Sequence, residues 1–341
     1  MPRFTPGVEL SGAFYRDAVR PLLGERPHAA ALLGWGSDVL GFDTERSTDH
    51  GWGPRLLVFV GPADIADVRA ALTNLPDEFG GWPVRYGWDG VPADHHVTVT
   101  DLSGWLVEHL GVDATRELTV ADWLVTPQQQ LLGVVAGAVY ADERGELAQV
   151  RARLAWYPDD VWRWMVGCQW RRIAQEEAFV QRAVEVGDDL GSAVVAARLV
   201  RDVMRLALLL ERRYAPYSKW LGSAFARLDH DDGLDRHLRA ALDGAEREAA
   251  LGAAYVAIAR RHNALGITEP VEPTLRPFHG RPARVLGADR FVEACMATVT
   301  EPALRALPLI GAVDQWVDST DVLSTPDVYR RLVMRLSTLS A

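Results

Sequence analysis

The stretch "LLGWGSDVLGFDTERSTDHGWGPRLLVFV", residues 32–60, holds the signals that decide the fold of the first third of the chain. One apolar run ends in Gly36 and Ser37, and a second run, residues 54–60, has the composition of a strand. A Gly-Ser turn that opens a helix offers backbone N–H groups and a hydroxyl to a phosphate. A carboxylate close to the next strand, such as Asp49, suits Mg²⁺. The stretch therefore predicts a phosphate and metal site.

Strand and helix patterns alternate on either side of this stretch. Residues 95–100 are β-branched and predict a strand, and residues 102–111 predict a helix that Gly111 ends. After a Gly-containing region at 125–145, helical patterns dominate, with further helices at 234–265, 287–299 and 326–339. We therefore predict an α/β or α+β sheet domain at residues 1–130 and a helical domain at residues 131–341.

Composition excludes several classes of protein. The chain has 341 residues and a net charge of −10, which argues against a nucleic-acid partner because proteins that bind nucleic acids are usually basic. Its two cysteines stand far apart and outside any metal-binding motif, which disfavours a zinc site or a disulfide framework. No apolar run approaches 18 residues, and the N-terminus lacks the apolar core of a signal peptide. We expect a cytoplasmic protein without a membrane partner.

Lys219, in "RRYAPYSKWLGSAF" (residues 212–225), is the single lysine in a chain with 35 arginines. Biased codon usage would explain one leftover lysine. A site that grips a phosphate end-on would also explain it, because a lysine ammonium is a compact point charge, unlike the planar guanidinium of arginine. Tyr214, Tyr217 and Trp220 beside it suit either base stacking or helix packing.

The residues Gly36, Ser37, Gly41, Ser47 and Asp49 resemble the signature of the nucleotidyltransferase superfamily, in which Gly-Ser precedes an acidic pair on a strand. Segments such as "YPDDVW", "GDDLGS", "RRYAPYSKWLG" and "DQWVDSTDVL" extend the resemblance over nearly the whole chain. They are similar to a bacterial family of unknown function that is assigned to this superfamily.

The resemblance implies an α+β chain, in which a nucleotidyltransferase-like mixed-sheet domain is followed by an all-α helical bundle domain that closes over the nucleotide and an acceptor. The reaction would transfer a nucleoside monophosphate from ATP or another NTP to a small-molecule acceptor, with Mg²⁺ neutralising the phosphates. Asp49 and Lys219 would be catalytic. The nucleotide would be bound by Gly36, Ser37, Ser47, Arg55, Tyr217 and Lys219.

The sequence departs from this pattern at the metal-binding carboxylates. The second acid of the motif is expected two residues after Asp49, where this chain has Gly51, whose side chain cannot ligate a metal. A third acid is expected on the strand at residues 95–100, which offers Thr98 instead. Asp101 and Asp94 flank that strand and are possible substitutes, and we predict Asp49 and Asp101 as the metal ligands.

Two hypotheses from different classes follow. The chain is either a Mg²⁺-dependent nucleotidyltransferase, with Asp43 or Asp38 supporting Asp49, or a catalytically degenerate nucleotide-binding or regulatory protein. Gly51 is the main support for the second. Modification of RNA ends is a third option, which the net charge disfavours.

Overall fold

Two units make up the part of the chain that the computed structural model describes, residues 3–244 and 246–331. Within these residues, unit 1 comprises 3–122, 128–155 and 324–331. Unit 2 comprises 123–127, 156–244 and 246–323. Unit 1 contains the mixed sheet, and unit 2 is built mainly of helices.

The strands before residue 156 are short, apart from one of ten residues. They are β1 (Ala29–Leu32), β2 (Arg55–Phe59), β3 (Glu78–Phe79), β4 (Trp82–Pro83), β5 (Arg85–Trp88), β6 (Val91–Thr100) and β7 (Ala138–Asp142). The α-helices of this part are α1 (Gly7–Phe14), α2 (Arg20–Leu23), α3 (Ile65–Ala71), α4 (Leu102–Leu110), α5 (Val120–Val125), α6 (Gln128–Val135) and α7 (Glu146–Arg153). A π-helical turn covers Tyr15–Val19, and 3-10 turns cover Glu45–Asp49, Pro62–Asp64 and Leu72–Asn74.

The main sheet has the strand order β5-β6-β2-β1-β7. β2 and β6 run parallel, whereas the other neighbouring pairs are antiparallel, so the sheet is mixed. The predicted strands at 54–60 and 95–100 are confirmed as β2 and the end of β6. The predicted helix before Gly111 is confirmed as α4, which begins where Asp101 accepts a hydrogen bond from the Gly104 N–H and ends at Gly111 in the left-handed conformation.

The two faces of the sheet differ in character, because successive side chains of a strand point to opposite faces. Leu56 and Val58 of β2 and Val97 of β6 are buried in the hydrophobic core that includes residues of α1 to α3. Arg55 and His96 are register partners at the start of this parallel pair, and both line the cavity described below. The site is therefore built on the face opposite the core.

The predicted domain boundary at residue 130 is wrong for the segment that follows it. β7 pairs antiparallel with β1 at one edge of the sheet, so residues 131–155 belong to unit 1. The Gly-containing region at 125–145 is therefore no linker, since it supplies α6 and this edge strand. The short apolar segment "AVYAD" satisfies the open backbone edge of β1, which a flexible connection would leave unpaired.

From residue 156 the chain is largely helical, which confirms the predicted fold class. The helices are α8 (Asp159–Glu176), α9 (Phe179–Glu185), α10 (Asp189–Leu210), α11 (Ser218–Phe225), α12 (Leu234–Asp243), α13 (Arg247–Ala264), α14 (Asp289–Thr298), α15 (Pro302–Arg305), α16 (Val313–Trp316) and α17 (Thr320–Ser324). A two-stranded ribbon joins β8 (Arg276–Pro277) to β9 (Arg284–Val285). Residues 326–331 are helical, and the rest of the helix predicted at 326–339 lies outside the described residues. Within the described ranges, no helix has the length and apolar character to cross a membrane.

Large side chains fill the core of unit 2. Trp162, Trp164 and Trp170 of α8 are buried almost completely, so helix packing accounts for part of the high tryptophan content. The predicted helix at 287–299 is confirmed as α14. The predicted helix at 234–265 is instead two helices, because Gly244 adopts a left-handed conformation that ends α12.

Candidate functional site

The Gly-Ser turn begins four residues beyond the end of β1 and is closed by backbone hydrogen bonds, without the helix that the sequence predicted to start there. The Leu40 N–H donates to the Gly36 carbonyl at 3.3 Å, and the Phe42 N–H donates to the Ser37 carbonyl at 2.8 Å. Gly36 has φ +124°, a backbone conformation that L-residues rarely adopt. A Cβ at this position would collide with the Asp38 carboxylate and would lie 2.5 Å from Arg55 Nη2. Only glycine therefore fits between these two side chains.

A buried ion pair fastens this turn to the first residue of β2. Arg55 Nε donates to Asp38 Oδ2 at 2.9 Å, and its Nη2 donates to Asp38 Oδ1 at 2.7 Å. The same Nη2 also donates to the Trp35 carbonyl at 2.7 Å. Both side chains of the ion pair are buried, and bidentate geometry of this kind fixes orientation as well as distance. The turn is thus held rigidly against the sheet.

The partners of Arg55 correct its predicted role as a phosphate contact. Burial opposes the charged guanidinium, but the charge of Asp38 and the hydrogen bonds to it outweigh burial and raise the pKa of Arg55. Its hydrogen bonds to Asp38 and Trp35 direct the guanidinium towards the turn itself. Arg55 therefore positions the turn.

A cavity of about 320 Å³ opens beside the turn and lies wholly within unit 1. Its walls include Leu32 at the end of β1, residues 33–35 after it, residues 55–57 of β2 and two residues of β6. The remaining walls come from Trp88 of β5 and from three residues of α4. The residues that line it are Leu32, Leu33, Gly34, Trp35, Arg55, Leu56, Leu57, Trp88, His96, Thr98, Trp105, Glu108 and His109. We call this cavity the aromatic cleft.

Two histidines of the aromatic cleft are fixed by backbone carbonyls. The Nε2 of His96 is bonded to the Tyr86 carbonyl at 2.8 Å, and the Nε2 of His109 to the Gln130 carbonyl at 3.0 Å. Because a carbonyl can only accept, both Nε2 atoms must carry the proton. Burial lowers the pKa of His109 to about 4, so this imidazole is neutral at neutral pH and its Nδ1 is an acceptor.

Asp49 lies at the end of the 3-10 turn Glu45–Asp49 and is exposed. His50 Nδ1 is bonded to its carboxylate at 2.8 Å, and this hydrogen bond is the main cause of the lowered pKa of Asp49. Ser47, which was predicted to bind nucleotide, uses its hydroxyl oxygen to accept from the Thr44 N–H at 3.0 Å. Ser47 therefore caps the local turn, and Asp49 presents an ionised carboxylate to solvent.

Asp101 is not brought to Asp49, which corrects the predicted metal pair. Asp101 follows the carboxyl end of β6, whereas Asp49 precedes the amino end of the parallel neighbour β2. Five paired residues separate these two edges of the sheet, roughly 16 Å at the usual rise per residue. The Asp101 carboxylate caps α4 by accepting from the Gly104 N–H at 2.8 Å.

The other acids near the turn already have partners. Asp38 is held by Arg55, and Asp43 accepts from the Gly7 N–H at 2.7 Å and from Trp52 Nε1 at 3.0 Å. Within the described ranges, no group of three or more His, Cys, Asp or Glu side chains is arranged to hold a metal ion. Asp38 and Asp43 are therefore committed to other groups, and the Mg²⁺ site that the resemblance implied stays a prediction that rests on Asp49.

Gly51, at the expected position of the second acid, lies under the ring of Trp35. Its φ is +63°, and a Cβ there would be 3.0 Å from Cη2 and Cζ3 of Trp35. The Trp35 ring is 58% exposed and occupies the space that a side chain at position 51 would need. The absence of a side chain at position 51 therefore leaves room for the exposed ring of Trp35.

Lys219 lies in unit 2, near the start of α11. Its side chain is exposed, and its Nζ is 4.9 Å from the centroid of the Trp220 ring. Trp220 Nε1 donates to the Tyr217 hydroxyl at 2.7 Å. Tyr214 is buried against Trp156, with ring centroids 4.7 Å apart, so the packing explanation holds for this tyrosine.

Sequence reasoning did not find the aromatic cleft. It identified the turn and Asp49 but not the tryptophans at positions 35, 88 and 105 or the two histidines as one group. The alternation in residues 55–59 and 95–100 contained part of the signal, because it places Arg55, Leu57, His96 and Thr98 on one face. The contributions of α4 and β5 depend on tertiary packing.

Comparisons with known proteins give limited matches. Residues 123–221 match a family described as a domain of unknown function, DUF4037. This segment is much shorter than the nearly full-length resemblance inferred from the sequence. No curated protein matches the chain. A crystal structure of a nucleotidyltransferase-like protein from Exiguobacterium sibiricum 255-15 is similar at 10% identity, covering 86% of this chain and 76% of that chain, with a TM-score of 0.31.

Proposed function

We propose that the chain is a nucleotide-binding protein of the nucleotidyltransferase type in which metal-dependent transfer has been lost. The aromatic cleft is the observation that carries this proposal. It adjoins the rigid Gly-Ser turn, and its walls from β2 and β6 contain no acid among the described residues. A cleft of this size, lined by three tryptophans and several polar side chains, falls within the range of small-ligand sites. The phosphates would lie at Gly36 and Ser37, and the base in the cleft.

The predicted role of Lys219 as a cation for the phosphates has a test of its own. Its exposed ammonium is available to a polyanion, and a point charge suits the end of a triphosphate.

We expect ATP to bind in calorimetric titration without a requirement for Mg²⁺. Lys219→Ala should weaken ATP binding about tenfold, the size of one hydrogen bond to a charged group. Adenosine, which has no phosphate, should bind both proteins equally. Arg236→Ala, which removes an exposed cation elsewhere in unit 2, is the matched control. Equal ATP affinity of Lys219→Ala and the unchanged protein would remove Lys219 from the site.

Transfer of a nucleoside monophosphate to a small-molecule acceptor with Mg²⁺ is the second candidate. The exposed and ionised carboxylate of Asp49, only two residues before Gly51, favours it. A single carboxylate is a weak Mg²⁺ site, and a second one would restore the acidic pair of the motif.

Gly51→Asp separates the two candidates. Aspartate tolerates a positive φ better than most residues, and the exposed Trp35 ring can move by the few tenths of an ångström required. If transfer has been lost, Mg²⁺ should change ATP affinity less than twofold in the unchanged protein and raise it about tenfold in Gly51→Asp, because two carboxylates can share one ion. Gly51→Asn has the same shape without the charge and should show no Mg²⁺ effect. Release of pyrophosphate by the unchanged protein would establish the second candidate instead.

A further inference from the structure

The aromatic cleft offers a flat surface to a planar ring. Trp35 lies at its wall with more than half of its surface exposed, although it is a large apolar side chain. The Arg55 guanidinium lies 4.8 Å from the Trp35 ring centroid, and Trp88 approaches the same ring edge-on at 6.1 Å. These two contacts fix the indole while leaving much of it open. Stacking of a base on such a ring contributes about 1–3 kcal/mol and does not depend on which base it is.

The polar groups of the cleft are mainly hydrogen-bond acceptors. The neutral ring of His109 is stacked on Trp105, with centroids 4.9 Å apart and an interplanar angle of 5°, so its orientation is fixed. Its Nε2 proton is committed to the Gln130 carbonyl, which leaves Nδ1 as an acceptor. Glu108, the preceding residue of α4, adds an exposed carboxylate to the same cavity. Among the described residues that line the cleft, the cationic side chain is Arg55, and its bonds to Asp38 and Trp35 are directed into the turn.

We infer that the aromatic cleft selects nucleobases that carry an exocyclic amino group. A base stacked on Trp35 would present its edge to Glu108 and His109, which line the same cavity, and an amino group would supply the donors that these acceptors require. A base edge without the amino group would displace water from these acceptors without replacing it, and a buried acceptor left unpaired costs more than an average hydrogen bond contributes. This inference rests on the proposed function, because it assigns the base of the nucleotide to this cleft.

Two pairs of nucleotides test the selection, because the members of each pair differ by one amino group. ATP is compared with purine riboside triphosphate, which lacks the 6-amino group, and GTP is compared with ITP, which lacks the 2-amino group. In calorimetric titration of the full chain we expect the amino member of at least one pair to bind about tenfold more tightly, the effect of one hydrogen bond to a charged group. Equal affinities within both pairs would overturn the inference and leave the proposed function standing. No binding of any nucleotide would overturn both.

Three variants test whether the aromatic cleft causes the preference for bases with an amino group. Glu108→Gln should reduce the tenfold preference to about threefold or less, because the amide is a weaker acceptor than the carboxylate. Glu117→Gln, which changes an exposed glutamate that does not line the cleft, should keep the preference. Trp35→Ala should weaken all four nucleotides about tenfold without changing the ratio within a pair. An unchanged preference in Glu108→Gln, with its melting temperature also unchanged, would contradict the assignment.

Discussion

Asp38→Ala is expected to lower the free energy of unfolding of unit 1 by about 3–5 kcal/mol, the usual effect of removing one partner of a buried ion pair. The substitution leaves Arg55, whose side chain is only 11% exposed, buried without its counter-charge. It also removes the acceptor of the Val39 N–H, which donates to Asp38 Oδ1 at 3.0 Å. Urea denaturation followed by circular dichroism measures the loss.

Two controls show whether the buried charge is the cause. Asp77→Ala removes the partner of Arg85 in an exposed ion pair with a 3.3 Å separation, and it should cost less than about 1 kcal/mol. The double variant Asp38→Leu/Arg55→Met removes both charges and should be less destabilised than Asp38→Ala alone, because no uncompensated charge remains. An Asp38→Ala variant within 1 kcal/mol of the unchanged protein would contradict the expectation.

The same ion pair links stability to the proposed function. It connects the Gly-Ser turn with the first residue of β2, and Arg55 also supports the ring of Trp35. Groups that bind a ligand must be held by neighbours whose own positions are fixed. The pair therefore explains how a turn rich in glycine can keep one conformation, as the proposed phosphate site requires, and how Trp35 can remain exposed yet oriented.

Elements with local signals were predictable from the sequence. β2 is an apolar run preceded by Gly-Pro, and α4 has both an aspartate cap and a terminal glycine, so each is specified by its own residues. β7 was not predictable in this way. Its five residues become a strand because they pair with β1, more than 100 positions earlier in the chain, and no local pattern records that partner.

Only those parts of the candidate site that depend on local sequence signals were predictable. Gly36 and Asp49 were recognised because their spacing is a local property of residues 32–60. Asp101 was misassigned because its closeness to a strand in sequence does not reveal at which end of the sheet it lies; the parallel register of β2 and β6 decides that. Arg55 was misread because its partner Asp38 is 17 positions away, across a turn whose path the sequence does not specify. The role of Lys219 stays a prediction.

A buried histidine of unit 2 should make stability depend on pH. His262 is fully buried; Trp170 Nε1 donates to its Nδ1 at 3.1 Å, and its Nε2 bonds to the Thr268 hydroxyl at 3.0 Å. Because Trp170 can only donate, Nδ1 must be unprotonated, and the imidazole is neutral in the folded state. Burial lowers its pKa from 6.5 to about 4. Protonation of the folded protein would break the bond to Trp170 and place a charge in the core.

We therefore expect the folded state to lose stability as the pH falls from about 6.5 to about 4. In this window the unfolded chain takes up a proton at His262 and the folded chain does not, so the free energy of unfolding rises with pH. At about 1.4 kcal/mol per unit of pKa difference, the loss approaches roughly 3 kcal/mol at pH 4 and is absent above the unfolded pKa. Urea denaturation at a series of pH values measures this loss of stability.

His262→Asn is the control, because asparagine takes up no proton in this range. The free energy of unfolding of this variant should fall less steeply as the pH is lowered. If the free energies of unfolding of the two proteins fell equally with pH, His262 would take up its proton equally in the folded and unfolded states. That result would contradict a neutral imidazole held between Trp170 and Thr268.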